Sequence, residues 1–289
     1  MANLRGGSIT KQLKSAFHKL EAFKTGRHKT DDHLTHSDGL AKVRDKLFRD
    51  IENFMEQENI GIKVNLALTP ENMDKLLEGR LKNLANNSKE SYIRSFSSLI
   101  QGLKETNIDV PIDRDYFDKK MDELRSQENW KTEVKKNQAV QNPKEVIAKL
   151  YEKRFETGVY ANTLNQLGIR SAESIRLLTS PKSYLTKRDG SIFVENLKGK
   201  GNHIYSPIEI HPNLAYQILQ IKNMPSYSTL YRDLKSVDVK AHGFRYLFAK
   251  LNLDKELKSG KGYRKALIAV SKQLNHHRAD VTSGYVKRA

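Results

Sequence analysis

The sequence predicts a mainly α protein (α+β class) in two parts: a helical bundle, then a mostly helical domain carrying a small antiparallel sheet. Three observations predict it. Apolar residues recur at three- and four-residue steps through roughly the first 130 positions. A polar stretch then breaks the pattern before it resumes. One β-rich region, Ser183 to Pro207, interrupts the helices of the second half. A chain of 289 residues suits two domains.

The elements follow in order. Leu13, Phe17 and Leu20 mark one face of a first helix, and Val43, Leu47, Ile51 and Phe54 that of a second. Thr69-Pro70-Glu71 reads as a helix start with proline at the first position, ahead of Met73, Leu76 and Leu77. Asn87-Ser88 opens the next helix, with Tyr92, Phe96 and Ile100 at four-residue steps. A short helix near Asp113 carries Tyr116, Phe117 and Met121. Four or five helices make a small bundle over residues 1–128. The polar segment around Trp130 supplies a linker, residues 129–144, or linker plus docking strand. Residues 145–289 form the second domain, in which two β-rich runs flank a Gly-Lys-Gly turn.

Composition narrows the function. The formal net charge is +17, with 29% charged and 37% hydrophobic residues. So large a positive excess predicts an extended polyanionic partner, most simply nucleic acid. Lysines and arginines stud the predicted bundle (Lys11, Lys14, Lys42, Arg44, Lys75, Arg80, Lys82, Lys89, Arg94), which we read as a surface for a DNA backbone rather than merely solvated faces. The absence of cysteine excludes disulfides, thiolate metal sites and cysteine nucleophiles. The N-terminal residues lack the apolar core of a signal peptide, and no apolar run nears the roughly 18 residues of a membrane span. A soluble, cytoplasmic protein is expected.

The chemistry lies in the second half. A phosphodiester attacked in line gathers negative charge on its equatorial oxygens, and the planar, permanently charged guanidinium suits that charge. Arg170 and Arg245 are the candidates. Tyr285 can serve as nucleophile, given neighbouring positive charge and a base for its proton. The departing 5′ oxygen needs a general acid, and Lys200, in the Lys198-Gly199-Lys200-Gly201-Asn202 tip, is placed for it. His242 stands three residues before Arg245, and His276 nine before Tyr285. Each has an ordinary alternative: a surface tyrosine, a plain turn, an Arg170–Glu173 pair at i,i+3. Their joint order is what argues for chemistry.

That order resembles the tyrosine recombinases, the phage-type integrase and Xer-like family, over roughly residues 140–289. Gly168, Arg170 and Glu173 in GIRSAES match a G-x-R-x-x-E box, and HGFRYLFA matches H-x-L-R. LKGKGNHIYSPI resembles the hairpin that carries the family's lysine, and its wording selects Lys200 over Lys198. VSKQLNHHRADVTSGYV resembles V-S-x-x-L-G-H-S-x-x-x-T-x-x-Y, and the spacing selects His276 over His277. The resemblance implies that Tyr285 forms a 3′-phosphotyrosyl bond and frees a 5′ hydroxyl. Arg170 and Arg245 would clamp the non-bridging oxygens, His242 would accept the tyrosine proton, and His276 would bond the phosphate. Lys200 would protonate the leaving oxygen, and Glu173 would orient Arg170 or His242. No cofactor is expected, and no metal, since the arginines supply fixed positive charge and would repel a cation from a site built of His203, His242, His276 and His277.

The implied protein is a site-specific recombinase or integrase of a mobile element, with the N-terminal bundle as core-binding domain. It would close on double-stranded DNA as a clamp, with salt-sensitive backbone contacts, and act as a homo-tetramer on DNA, monomeric when free. Lys89, Arg94, Lys198, Lys261 and Arg264 are candidate DNA contacts. A type IB topoisomerase-like enzyme and a catalytically silent architectural DNA-binding protein are the alternatives. An RNA-binding protein is disfavoured by the absence of RNA-recognition wording. Three departures stand out, the first being the long stretch between Arg245 and His276, whose basic loop LKSGKGYRK implies an added contact with DNA or a partner. Asn275 occupies the place of the family's glycine, where asparagine tolerates a left-handed turn. The sequence ends four residues after Tyr285, where relatives continue with a helix that docks on a neighbouring subunit. A different exchange between subunits, or a shortened chain, is implied.

Overall fold

A computed structural model of the chain describes residues 4, 6–23, 32–127, 138–200, 203–276 and 278–289. Trp130, Gly201, Asn202 and His277 lie outside them. The chain divides into two compact units, Met1–Glu133 and Val134–Ala289.

The first unit is a helical bundle: α1 (Ile9–Leu20), α2 (Asp38–Gln57), α3 (Val64–Ala67), α4 (Pro70–Leu81), α5 (Asn86–Glu105) and α6 (Arg114–Arg125). Side-chain caps start several of them. The Ser37 hydroxyl accepts from the Leu40 amide and the Asp113 carboxylate from the Tyr116 amide, while Thr69 caps α4 with Pro70 at its first position. Each cap satisfies an amide that the helix leaves unbonded. Leu47, Ile51, Met55, Ile93, Phe96, Leu99 and Phe117 form the dry centre.

One face is turned from expectation. Val43 is 40% exposed, whereas Arg44 is 1% exposed, so Arg44 does not belong to a DNA-facing surface. Its guanidinium donates to the Thr35 hydroxyl at 2.6 Å and to the His33 carbonyl. Burial lowers its pKa to about 10, against the charges of Glu105 and Asp32. Arg80 is likewise engaged, by the buried Asp50 carboxylate, which also accepts from the Tyr92 hydroxyl at 2.7 Å. A buried cation is tolerated where fixed acceptors replace its water, and no periodicity count anticipates those acceptors.

The second unit begins with a docked segment. Ala139 and Val140 are buried, and the Val140 amide donates to the Gly243 carbonyl. Then come α7 (Pro143–Lys153), α8 (Phe155–Leu167), α9 (Ser171–Thr179), strands β1 (Leu185–Arg188), β2 (Ser191–Val194) and β3 (Ile208–Ile210), and helices α10 (Pro212–Gln220), α11 (Tyr227–Lys235), α12 (Ala241–Lys258), α13 (Tyr263–Gln273) and α14 (Ala279–Val286). Pro143 and Lys144 form the first turn of α7. The sheet is antiparallel in the order β1-β2-β3, with Leu185 opposite Val194 and Val194 opposite Ile208. A tight hairpin joins β1 and β2 at Asp189-Gly190, where both residues take positive φ (50° and 81°), the turn that suits strand twist; the expected Gly-Lys-Gly turn runs into Gly201, outside the described residues. Among the described residues next to it, Lys198 bridges Ile204.

Helix α8 is buried nearly all round and packs against α7 and α12. Val159, Tyr160, Leu164, Leu177, Val194 and Phe244 centre the main core. Ala249, Leu253, Ala266, Val270 and Leu274 form a smaller one between α12 and α13, on which Phe248, Tyr285 and Val286 rest. That second core is what holds the final helix.

Candidate active site

The G-x-R-x-x-E box is a helix junction. Gly168 ends α8 in a left-handed conformation (φ 60°), and a Cβ there would sit 2.4 Å from the Phe248 ring, so no larger residue fits. Arg170 then caps α9. Glu173, at the third helical position, accepts the Arg170 amide at 2.6 Å through one oxygen and its Nη1 at 2.9 Å through the other. The i,i+3 pair thus does both things at once: it starts the helix and aims the guanidinium.

Glu173 is only 2% exposed. Burial works to raise its pKa, but hydrogen bonds from Tyr205 and from Arg170 outweigh it and hold the carboxylate below its ordinary value. Burial also works against the Arg170 charge. The bond and charge of Glu173 more than offset it, and the arginine pKa is raised. The Tyr205 hydroxyl donates to Glu173 Oε2 at 2.6 Å and lies 3.3 Å from Arg245 Nη1. Burial pushes that phenol up to about 12.

Arg245 lies on α12, 1% exposed. It donates to the Gly168 carbonyl at 2.5 Å, the Leu274 carbonyl at 2.6 Å and His276 Nε2 at 2.9 Å, besides Tyr205. Its buried Nε has no partner among the described residues. Since Nε2 of His276 accepts, Nδ1 carries the proton and donates to Thr282 at 3.0 Å. The His276 carbonyl accepts from Ser271 at 2.8 Å. A continuous chain of hydrogen bonds therefore runs Arg170–Glu173–Tyr205–Arg245–His276–Thr282, tying the start of α9, the end of the sheet, α12 and α14 into one cluster.

The imidazoles are held neutral. His276 falls to about 3 through burial and then the charges of Arg245 and Arg170. His242, although partly open to solvent, falls to about 4 through desolvation, Arg245, Arg170 and Arg288. Tyr285 lies against them: its ring centroid is 4.8 Å from that of His276, 5.0 Å from His242 and 5.1 Å from Tyr246, with the Arg245 guanidinium 5.6 Å away. Thr282 and Tyr285 share a face of α14 at i,i+3, so one histidine holds the helix at both points.

Arg170, His242, Arg245, His276 and Tyr285 are thus brought together. Lys200 is exposed at the turn after the Lys198 bridge, and Gly199 ahead of it packs close to Glu173, Tyr205 and Asn275. The turn is held by the Gly199 amide donating to the His203 carbonyl at 2.7 Å and by Arg176 on the Lys198 carbonyl. Asn275 adopts the left-handed conformation (φ 50°) that its place in the motif requires. The candidate DNA contacts fall on both units. Lys89 and Arg94 lie on α5, Arg94 near Glu90 at 3.9 Å. Lys198 and Arg264 are exposed, and Lys261 pairs with Glu256. Sequence reasoning missed Tyr205, Tyr246 and, as a site residue, Thr282. For Thr282 a signal existed in the T-x-x-Y spacing; for Tyr205 none did, because a β-rich run does not tell which ring turns inward.

No protein-family model matches the chain, and no curated protein matches it. Solved structures do. The XerH site-specific recombinase bound to difH substrate, in a pre-cleavage complex, superposes with a TM-score of 0.60 at 13% identity, over 98% of this chain and 95% of that one. XerH on a palindromic difH substrate, post-cleavage, gives 0.60 at 12%, over 98% and 94%. The Tn1549 transposon integrase in complex with a circular-intermediate DNA gives 0.54 at 13%, over 93% and 94%. Among the described residues no helix is long and apolar enough to cross a membrane. At such identities the likeness is one of architecture, and over nearly its whole length this chain has the fold of the tyrosine recombinases.

Proposed function

We propose that this protein is a tyrosine-type site-specific DNA recombinase that cuts and rejoins DNA through a 3′-phosphotyrosyl intermediate. One observation carries the reading. The Tyr285 ring rests on His242 and His276 beside the Arg245 guanidinium, and a hydrogen-bond chain links that guanidinium to Arg170. A phenol, two neutral imidazoles and two fixed cations in one cluster match the needs of in-line attack on a phosphodiester.

In this reading Arg170 binds a non-bridging oxygen directly. Arg245 exchanges its longest bond, to Tyr205, for the phosphate. The anion between the arginines restores basicity to His242, which takes the Tyr285 proton as the phenolic oxygen bonds to phosphorus. The P–O5′ bond breaks, and Lys200 delivers a proton to the departing oxygen. Reversal with a new 5′ hydroxyl reseals the strand without an external energy source. The likeness to recombinases solved on DNA, and the net charge of +17, support duplex DNA as the partner. The first unit serves as the core-binding domain, with Lys89 and Arg94 on the backbone. Paired strand exchange between two sites calls for a tetramer, and mobile-element integration or excision is the preferred role.

The test begins by selecting bound duplexes from a random-sequence pool. They are nicked near candidate cleavage positions, so that a cleaved end diffuses away, and incubated with protein under denaturing readout. A covalent protein–DNA band is expected from the native chain and none from Tyr285→Phe. Selected duplexes that bind tightly yet never give the band would replace the recombinase with an architectural factor. Relaxation of any supercoiled plasmid, irrespective of site, would replace it with a topoisomerase.

A further inference from the structure

Asn275 has two properties that its place in the motif does not require of a side chain. Its backbone makes the left-handed turn before His276, a task glycine performs equally well. Its side chain reaches away from that turn, and Nδ2 donates to the His203 carbonyl at 2.9 Å. The same carbonyl oxygen accepts the Gly199 amide at 2.7 Å, the bond that closes the turn bearing Lys200. Room for the amide exists because residue 199 is glycine: a Cβ there would lie 2.8 Å from Asn275 Nδ2. One short amide therefore ties the lysine turn to the turn that presents His276, two segments 72 residues apart.

We infer that Asn275 is a positioning residue for the general acid, setting where the Lys200 ammonium stands relative to the scissile phosphate. This rests on the recombinase reading above. Glycine at 275 would keep the histidine turn and cut the tie. The lysine turn would keep its Gly199–His203 bond and Arg176 on the Lys198 carbonyl but lose its tie to the histidine turn, and the ammonium would spend less time at the 5′ oxygen. The step concerned is the proton from Lys200 Nζ to O5′ as the P–O5′ bond breaks and the P–O bond to Tyr285 forms.

The experiment compares Asn275→Gly, Asn275→Asp and Lys200→Ala with the native protein on two nicked substrates. One carries the ordinary 5′ oxygen at the scissile phosphate. The other carries a bridging sulfur there, whose thiolate leaves without a proton. General acids supply about 10²–10⁴-fold in such steps, so loosening one should slow single-turnover cleavage of the oxygen substrate by about 10- to 100-fold. Asn275→Asp tolerates the left-handed turn but cannot donate, and should behave alike. On the sulfur substrate all three variants should return to within about threefold of native. Native rates for Asn275→Gly on oxygen would overturn the inference, as would equal slowing on both substrates, which would place the effect at His276. Should the native protein form no adduct on either substrate, the recombinase reading fails and takes this inference with it.

Discussion

Arg245 is expected to be as much a structural residue as a chemical one, and the consequence is measurable. Removing its guanidinium by Arg245→Ala would leave the Gly168 and Leu274 carbonyls without their donors, in a region where both residues are buried. A buried acceptor stripped of its partner costs about 1–3 kcal/mol. Two of them give about 2–6 kcal/mol, before counting His276 Nε2, Tyr205 and the cavity left by a side chain only 1% exposed. We expect a loss near 4 kcal/mol in the second unit. Arg170→Ala, whose side chain is 25% exposed and leaves one carboxylate that keeps Tyr205 and the Arg170 amide, should cost about 1–2 kcal/mol. Urea unfolding followed by a probe in the second unit, with matched m-values, gives both numbers. A loss below about 1 kcal/mol for Arg245→Ala would refute the argument, because the two carbonyls would then have found other donors at little cost. Loss of adduct formation in this variant is accordingly to be read only beside its stability, whereas in Arg170→Ala it reports on chemistry.

Three further outcomes are expected. His276 is 8% exposed with a pKa lowered to about 3, so the unfolded chain binds the proton more readily. Its stabilising contribution is complete above about pH 6.5 and is lost as pH falls toward 3, at about 1.4 kcal/mol per pH unit. A flat difference between native and His276→Asn unfolding energies from pH 7 to 5 would contradict it. Tyr205→Phe removes a single hydroxyl between Glu173 and Arg245; we expect a cost of about 1–2 kcal/mol and slower adduct formation, and unchanged values for both would remove Tyr205 from the site. Gly168→Ala places a Cβ 2.4 Å from the Phe248 ring at a φ of 60°, so thermal unfolding should show a loss of more than about 2 kcal/mol; a neutral result would mean that the α8–α9 junction relaxes freely.

Much of this molecule was legible one residue at a time. Local rules gave the helix starts at Thr69 and near Asp113, the Arg170–Glu173 pair at i,i+3 and the left-handed Asn275, because each depends on a few consecutive residues and short-range sterics. The order Arg170, Lys200, His242, Arg245, His276, Tyr285 was visible for the same reason: order along a chain is a property of sequence. What tertiary structure decided is which groups meet across long separations. The burial of Arg245 on two carbonyls and the place of Tyr205 between Glu173 and the arginine join segments 29 to 77 residues apart, and even the inward turn of Arg44 depends on Thr35 and His33 outside its own helix. Periodicity ranks positions by face, not by the acceptors a folded neighbour will present. A charged side chain is stable inside only where those acceptors already stand, and they exist only once the chain has closed around it.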